Sequence, residues 1–519
     1  MWWKNSVFYH IYPRSFLDTT GNGIGDLRGI IQKVPYLKSL GVDVLWLSPI
    51  FPSPNHDFGY DISDYCSIDS NMGSMKDIEE LIDLLHQHKM RIILDGVFNH
   101  TSQLHPWFLA SKQNDSSKKD WYIWRDRPNN WTSAFGGSAW SYHKERNSWY
   151  LHSFAKEQPD LNWNHPPVRE AIYDIMRFWF EKGIDGFRLD VFNCYAKDPL
   201  FRNNPRRWDP VGIIAGLGYS FLNQHHIYDR DQPQLLEHLG EMRKIADQYN
   251  AVLIGETLDE RLRYHRAADY VGAERLHLAF HFQLLHTRWN TRKIYKAIHK
   301  LQKDFSETWP SIVLSNHDFP RQSKRWGTAP CRRKLMAFLA MTLKGTPFVY
   351  YGEEIGMMEC SISKKDIQDP VGKKFWPLFQ GRDGARTPMQ WSEQSFAGFS
   401  THKPWLPIAR DYKTRNVDQQ QQQPYSILKF YQEIIALRKA YPCLQQGDIQ
   451  WQKSPKDILC YIRYDKNQRL CISINLSRTP TALSIEKDSI VYSIGSFSNT
   501  QIGPESAIVQ KTLHHNVHP

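Results

Sequence analysis

Long apolar runs are missing from this chain. No stretch reaches the ~18 consecutive apolar residues that a membrane-crossing helix needs, and the opening Met1-Trp2-Trp3-Lys4-Asn5 lacks the zones of a secretory leader. Cysteine is sparse and irregular: seven in 519 residues, at 66, 194, 331, 360, 443, 460 and 471, with no CxxC spacing. An odd, scattered set argues against a disulfide framework and fits reduced thiols in a cytoplasmic protein. Basic clusters are also absent. The formal charge is +11, but it is dispersed, with no basic tail, zinc-finger spacing or RNP-like run, so neither nucleic acid nor membrane is expected as a partner. What is abundant is aromatic: 13% of residues, with 19 Trp and 25 Tyr. Aromatic faces suit sugar rings, although large cores use them too.

At this length two or three domains are expected. Short apolar runs at 6–12, 42–50, 91–95, 186–193, 251–256, about 277–283, 311–316 and 346–351 alternate with amphipathic helical stretches. That alternation predicts a parallel sheet covered on both faces, and eight units favour a closed (β/α)₈ barrel over an open sheet. The barrel is expected over 1–100 and 168–444. A Trp-, Asn-, Ser- and Gly-rich stretch at 101–167 reads as a small domain inserted after the third strand. A long excursion at 355–424 ends in the glutamine run 419–423, expected as a solvated loop. A helix at 426–440 closes the barrel, and the short alternating runs of 445–519 predict a C-terminal antiparallel β domain.

The chemistry of such barrels sits at the C-terminal ends of the strands. Here those ends carry Asp95 with His100, Arg188 with Asp190, Glu256, and His317 with Asp318. With a strand's period of two, Arg188 and Asp190 share a face, so the carboxylate lies beside a permanent cation and stays ionised, as a nucleophile requires. A structural ion pair at a strand end would read the same. Acids at four strand ends are harder to explain as caps or structural pairs. The first strand, Tyr9-His10-Ile11-Tyr12, has no His-x-His pair of the kind that opens metal-dependent barrel hydrolases. Without a metal, paired carboxylates are the equipment of glycoside hydrolysis, with one ionised and one protonated group flanking the glycosidic oxygen. Glu256 follows Leu-Ile-Gly with no cation adjacent in sequence, and is the candidate for the raised pKa.

Asp95-Gly-Val-Phe-Asn-His100, Gly186-Phe-Arg-Leu-Asp190, Gly255-Glu256 and Ser315-Asn-His-Asp318 resemble, in order and spacing, the signature regions of glycoside hydrolase family 13, the α-amylase family. Gln158-Pro-Asp-Leu-Asn162, Asp57-Phe-Gly-Tyr60, Phe135-Gly-Gly-Ser-Ala-Trp140 and Ala385-Arg-Thr-Pro-Met-Gln-Trp391 resemble its oligo-1,6-glucosidase and α-glucosidase branch. The resemblance runs from residue 2 to about 440. It implies a retaining mechanism with Asp190 as nucleophile, Glu256 as acid and base, and Asp318 holding the sugar's 2- and 3-hydroxyls. It further implies that Arg188 orients the nucleophile and that His100 and His317 bond sugar hydroxyls. Asp57 and Arg386 would close the pocket around the non-reducing end, Tyr60 would stack under the ring, and Phe135 and Phe154 would form an apolar wall. A pocket closed in this way implies exo action on small α-glucosides, and a monomer or homodimer is expected.

No cofactor is required for that chemistry. Asp18, Thr20, Asn22, Ile24 and Asp26 resemble the branch's Ca²⁺/Mg²⁺ loop, but Thr20 and Asn22 stand where an amide and a carboxylate are usual, so weak or no metal dependence is expected. Val191, just after the nucleophile, points to α-1,6 bonds, whereas the residue 57–60 and 135–140 motifs look like those of maltose-cleaving relatives. The expectation is a broad α-glucosidase acting on maltose, sucrose and malto-oligosaccharides. The alternatives are an oligo-1,6-glucosidase and a glucosyl-transferring or sucrose-isomerising enzyme. The stretch Phe319-Pro-Arg321-Gln-Ser-Lys-Arg-Trp326-Gly resembles the acceptor-side loop of the hydrolases. A non-enzymatic relative of the transporter heavy-chain kind would carry an anchor and tend to lack catalytic residues; this chain shows no anchor and keeps the full set.

Overall fold

A computed structural model describes residues 1–113, 117–210, 220–258 and 266–512. Eight parallel strands form its centre: β1 (Phe8–Ile11), β2 (Val44–Leu47), β3 (Arg91–Gly96), β4 (Gly186–Leu189), β5 (Val252–Gly255), β6 (Leu278–Ala279), β7 (Ser311–Val313) and β8 (Thr346–Tyr350). They pair in the order β7-β8-β1-β2-β3-β4-β5-β6. At the remaining seam the Ser311 hydroxyl donates to the carbonyl of Ala279 at 2.8 Å, so a side chain joins β7 to β6 where the backbone ladder does not. The result is a barrel closed but for one seam. Its strands are buried on both faces, which is why they read as near-continuous apolar runs. Gly186 is required by close approach: a Cβ there would lie 2.2 Å from the carbonyl oxygen of Val252 on the neighbouring strand.

Helices pack around the sheet by their apolar stripes. Met75–Gln87 buries Ile78, Leu81, Ile82 and Leu85 and starts with a reciprocal capping box between Ser74 and Asp77. Pro166–Glu181 starts on a proline, whose missing N–H costs nothing in a first turn, and delivers the chain to β4. The strand before Asp318 is shorter than its apolar run. Asn316 Oδ1 accepts the backbone N–H groups of Asp318 (3.0 Å) and Phe319 (3.1 Å), and this side-chain turn ends β7 early.

Between β3 and β4 the strands Trp124–Arg125, Trp140–His143 and Ser148–Leu151 form a three-stranded antiparallel sheet. After Ile427–Ala440, the strands β9 (Asp448–Trp451), β10 (Ile458–Tyr464), β11 (Arg469–Asn475), β12 (Ile490–Ile494) and β13 (Ser506–Lys511) form an antiparallel sheet ordered β9-β10-β11-β13-β12. Arg463 ties it to the barrel by donating to the carbonyl of Thr342 at 2.6 Å. All seven cysteines are free thiols. No described helix is long and apolar enough to cross a membrane.

The glutamine run is not a solvated loop. Gln419–Gln422 belong to the helix Val417–Gln422, capped by Asn416, although Gln421, Gln422 and Gln423 are exposed. Gln420 is buried, donating to the carbonyl of Ile355 at 2.8 Å and accepting from the Leu428 amide at 3.1 Å. Its amide satisfies two backbone groups that would otherwise be buried unpaired, a use that composition does not reveal.

Candidate active site

Arg188, fully buried on β4, is the hub of the carboxylates. Its Nη1 lies 2.6 Å from Asp95 Oδ1 and 2.7 Å from Asp190 Oδ1, and its Nη2 donates to Glu256 Oε2. The guanidinium lies 5.2 Å from the ring centroid of Trp46. Arg188 therefore touches both members of the proposed catalytic pair, although Glu256 has no cation near it in sequence. One guanidinium cannot neutralise three buried carboxylates, so ionising all of them would leave net negative charge in a dry site. Burial raises the Glu256 pKa well above its ordinary value; Arg188 opposes this, and Asp190, Asp318 and Asp95 reinforce it. Burial likewise pushes Asp95 up to about 7, against the pull of Arg188. The balance favours the neutral form of Glu256, which lines the cavity.

The backbone fixes the two carboxyl groups relative to each other. The Glu256 amide donates to the Leu189 carbonyl (3.0 Å), and the Phe192 amide donates back to the Glu256 carbonyl (3.2 Å). Between these bonds Val191 takes a left-handed conformation, φ 37° and ψ 39°, which a β-branched residue adopts only when its surroundings impose it. Those surroundings are Ala134, Phe154, Cys194 and Phe221, packed with it in one cluster.

Asp318 faces two arginines. Arg386 Nη2 lies 3.1 Å and Arg382 Nη1 3.2 Å from its Oδ1. Burial alone would raise the Asp318 pKa, but Arg382, Arg386 and Arg188 together hold it below the ordinary value. Burial, with Arg386 and Arg188, holds His317 well below its usual range, and burial lowers His100, so both rings are neutral. His317 Nε2 is 2.7 Å from Tyr60 Oη, and the two rings stack at 5.3 Å. Tyr60 Oη also donates to Asp95 at 3.0 Å. His100 Nε2 contacts the Tyr60 carbonyl (3.0 Å) and the amide nitrogen of the fully buried Gln158 (3.1 Å), which ties the Gln158–Asn162 motif to the pocket.

The expected partnership of Asp57 with Arg386 is corrected by the structure. Asp57 Oδ1 takes Arg382 Nη2 at 2.7 Å, and Arg382 is held in turn by Asp369 Oδ1 at 2.7 Å. Arg386 lies deeper, donating through Nε to the carbonyl of His317 at 2.8 Å, and is 1% exposed. Arg386 is spent behind Asp318, and the arginine four positions earlier, which lines the cavity, takes Asp57 instead.

These groups surround a cavity of about 280 Å³. Asp57, Tyr60, His100, Phe135, Phe154, Asp190, Val191, Glu256, His317 and Asp318 all line it; Arg188 and Arg386 stand behind its wall. Sequence reasoning missed Arg382, Leu258, Phe282 and Phe379 of the same lining, while Phe319, from the stretch read as an acceptor-side loop, does line it. The one available signal was the Gly381-Arg382-Asp383-Gly384 stretch, a charge set among glycines just before a quoted motif.

The 18–26 loop does not present oxygens to a cation. Asp18 Oδ1 accepts the amides of Thr20 and Gly21, and its Oδ2 accepts the Gly23 amide and the Ser400 hydroxyl. Asn22 Oδ1 accepts the Ile24 amide, and Asp26 caps a helix through Gly29 while accepting Thr19. The carboxylates and the Asn22 amide oxygen are occupied by the loop's own N–H and hydroxyl donors, so these residues do not fit a metal.

The model of the alpha amylase catalytic domain matches residues 10–447. The chain belongs to the α-amylase family. The match of this α-amylase-family chain spans the barrel and the inserted sheet and stops just before β9. Over 494 residues the chain is 40% identical to a probable alpha-glucosidase of Rhizobium meliloti (strain 1021), covering 92% of this chain and 89% of that one. It is 38% identical over 532 residues to an oligo-1,6-glucosidase of Bacillus cereus, covering 94% and 93%. Among solved structures, the alpha-glucosyl transfer enzyme XgtA superposes with a TM-score of 0.91 at 37% identity, covering 98% of this chain and 99% of that one.

Proposed function

We propose that this α-amylase-family enzyme is a retaining, exo-acting α-glucosidase that releases terminal α-glucose from short α-glucosides, including maltose, sucrose and malto-oligosaccharides. The observation that carries the reading is the arrangement of Asp190 and Glu256 on one arginine, in a cavity part of whose wall is closed by the Asp57–Arg382 ion pair. Asp190 attacks the anomeric carbon while Glu256 gives its proton to the departing glycosidic oxygen. The C–O bond to the aglycone breaks, and a β-glucosyl ester forms on Asp190. Glu256, now a carboxylate, takes a proton from water, whose oxygen attacks the same carbon and frees Asp190. The product keeps the α configuration. Arg188 orients Asp190, and Asp318 binds the 2- and 3-hydroxyls. His100 and His317, as neutral rings, donate to or accept from sugar hydroxyls. Tyr60, Phe135 and Phe154 supply the apolar faces against which the ring packs.

An ion pair that closes the pocket around the non-reducing end leaves room for one terminal glucose unit and disfavours binding in the middle of a long chain. This chemistry requires no metal, and the side-chain oxygens of the 18–26 loop are engaged by the protein's own donors. A second reading is glucosyl transfer, favoured by the likeness to an alpha-glucosyl transfer enzyme. Both reactions share the chemistry up to the Asp190 ester and differ in whether water or a sugar hydroxyl intercepts it.

The test is a product time course on maltose, isomaltose, sucrose, trehalose and maltotetraose. α-Glucose as the first product from maltose and from maltotetraose supports the proposal. Activity restricted to isomaltose assigns an oligo-1,6-glucosidase, and new di- or trisaccharides outpacing free glucose assign transfer.

A further inference from the structure

The turn that carries Phe135 into the pocket wall is pinned from outside the inserted segment. Lys374 Nζ donates to two successive carbonyls, those of Phe135 (2.9 Å) and Gly136 (2.7 Å). On the other side, the Gly137 amide donates to the Ser220 hydroxyl at 2.8 Å. Gly136 and Gly137 both have positive φ, 82° and 91°, and a Cβ on Gly136 would lie 2.8 Å from Phe375 Cζ, so the turn is shaped to meet the helix Pro370–Phe375 closely. That helix starts directly after Asp369, which holds Arg382, and Arg382 reaches both Asp57 and the ring of Phe135, at 5.4 Å from its centroid. One segment, 369–382, thus supplies the arginine that pairs with Asp57 in the cavity wall and the lysine that holds the adjoining turn.

Taking the proposed α-glucosidase reading as given, we infer that Lys374 is a positioning residue that latches the Phe135–Gly137 turn onto the segment carrying Arg382, fixing the cavity wall beside Phe135 and with it the preference for short substrates. The two bonds are made by an exposed ammonium to backbone carbonyls, so their contribution is modest. A modest contribution is legible in substrate binding and leaves global stability almost untouched. Arginine has the reach and the donors to serve both carbonyls, whereas methionine keeps the stem and removes every donor.

The experiment compares wild type, K374M and K374R by steady-state kinetics on maltose and maltotetraose, and by hydrogen exchange of the peptide covering residues 133–140. In K374M the KM for maltose rises about three- to tenfold, kcat stays within about twofold, and the kcat/KM ratio of maltotetraose to maltose increases. Exchange at residues 136 and 137 speeds up, the melting temperature moves by less than about 2 °C, and K374R restores the wild-type values. An unchanged KM beside an active wild type, unchanged exchange, or failure of K374R to restore either overturns the latch. A wild type that releases no glucose from any α-glucoside overturns the proposed function and, with it, the latch's role in substrate length, whatever the exchange shows.

Discussion

Asp57 and Arg382 are 325 positions apart in sequence and meet at 2.7 Å in the wall of the cavity. The same guanidinium holds Asp369 at 2.7 Å and reaches Asp318 at 3.2 Å, so three carboxylates depend on it. R382A leaves Asp57 and Asp369 buried without their closest cation, a situation that costs about 3 kcal/mol. The expected outcome is a loss of roughly a hundredfold in kcat/KM, carried mostly by KM, with a lower urea midpoint. R382K recovers little, because one ammonium cannot reach three acceptors as a planar fork does. Kinetics on maltose with both variants check this.

Glu256 carries a second, pH-dependent prediction. Its pKa in the folded protein lies well above the ordinary 4.5, first because of burial. Below that ordinary value the folded and unfolded chains both hold the proton, and the full contribution of the neutral acid is present. Above it the unfolded chain ionises while the folded one keeps its proton, so stability falls as pH rises toward the folded pKa. E256Q removes that slope. It abolishes at least about 10³-fold of the activity and is more thermally stable than wild type, by a margin that widens from pH 4.5 upward. Calorimetric scans of both proteins between pH 4 and 8 read the margin; one that stays constant or narrows contradicts the assignment.

Val191 is placed to influence linkage preference. It lines the cavity directly after Asp190, against Phe154 and Phe221. Replacing a methyl by a hydroxyl there is a single-group change, and V191T shifts the ratio of kcat/KM for maltose over isomaltose toward maltose by about tenfold. Initial rates on the two disaccharides measure the shift.

The 18–26 loop is expected to be indifferent to chelation. EDTA leaves the melting temperature within about 1 °C and added Ca²⁺ does not raise it, because the loop's amides already occupy the oxygens a cation would use. D18A strands three amides and the Ser400 hydroxyl, and destabilises by about 2 kcal/mol, equally with and without EDTA. A saturable rise of several degrees with Ca²⁺ would refute this view of the loop.

The barrel was legible because parallel strands buried on both faces are written as apolar runs, and acids at the ends of such runs stand out. Arg188 and Asp190 could be placed together because a strand's period is two and the contact is local. Contacts across the barrel were not legible. That Arg188 also reaches Glu256, 68 positions on, follows from β4 lying beside β5, which local sequence does not encode. The arginine facing Asp57 was assigned from a motif, and the choice between Arg382 and Arg386 turns on depth in the fold. Gln420 was hidden by its low-complexity neighbours, since only the tertiary position of one glutamine distinguishes it.

The central claim is that Asp190 is the nucleophile of a double displacement. Incubation with a 5-fluoro-α-D-glucosyl fluoride slows hydrolysis of the intermediate more than its formation and lets it accumulate. Peptide mass spectrometry of the trapped enzyme is predicted to show one fluoroglucosyl group on the peptide containing Asp190, and none in D190N. A label on another carboxylate, or full turnover of maltose by D190N with no labelled peptide at all, would contradict the account.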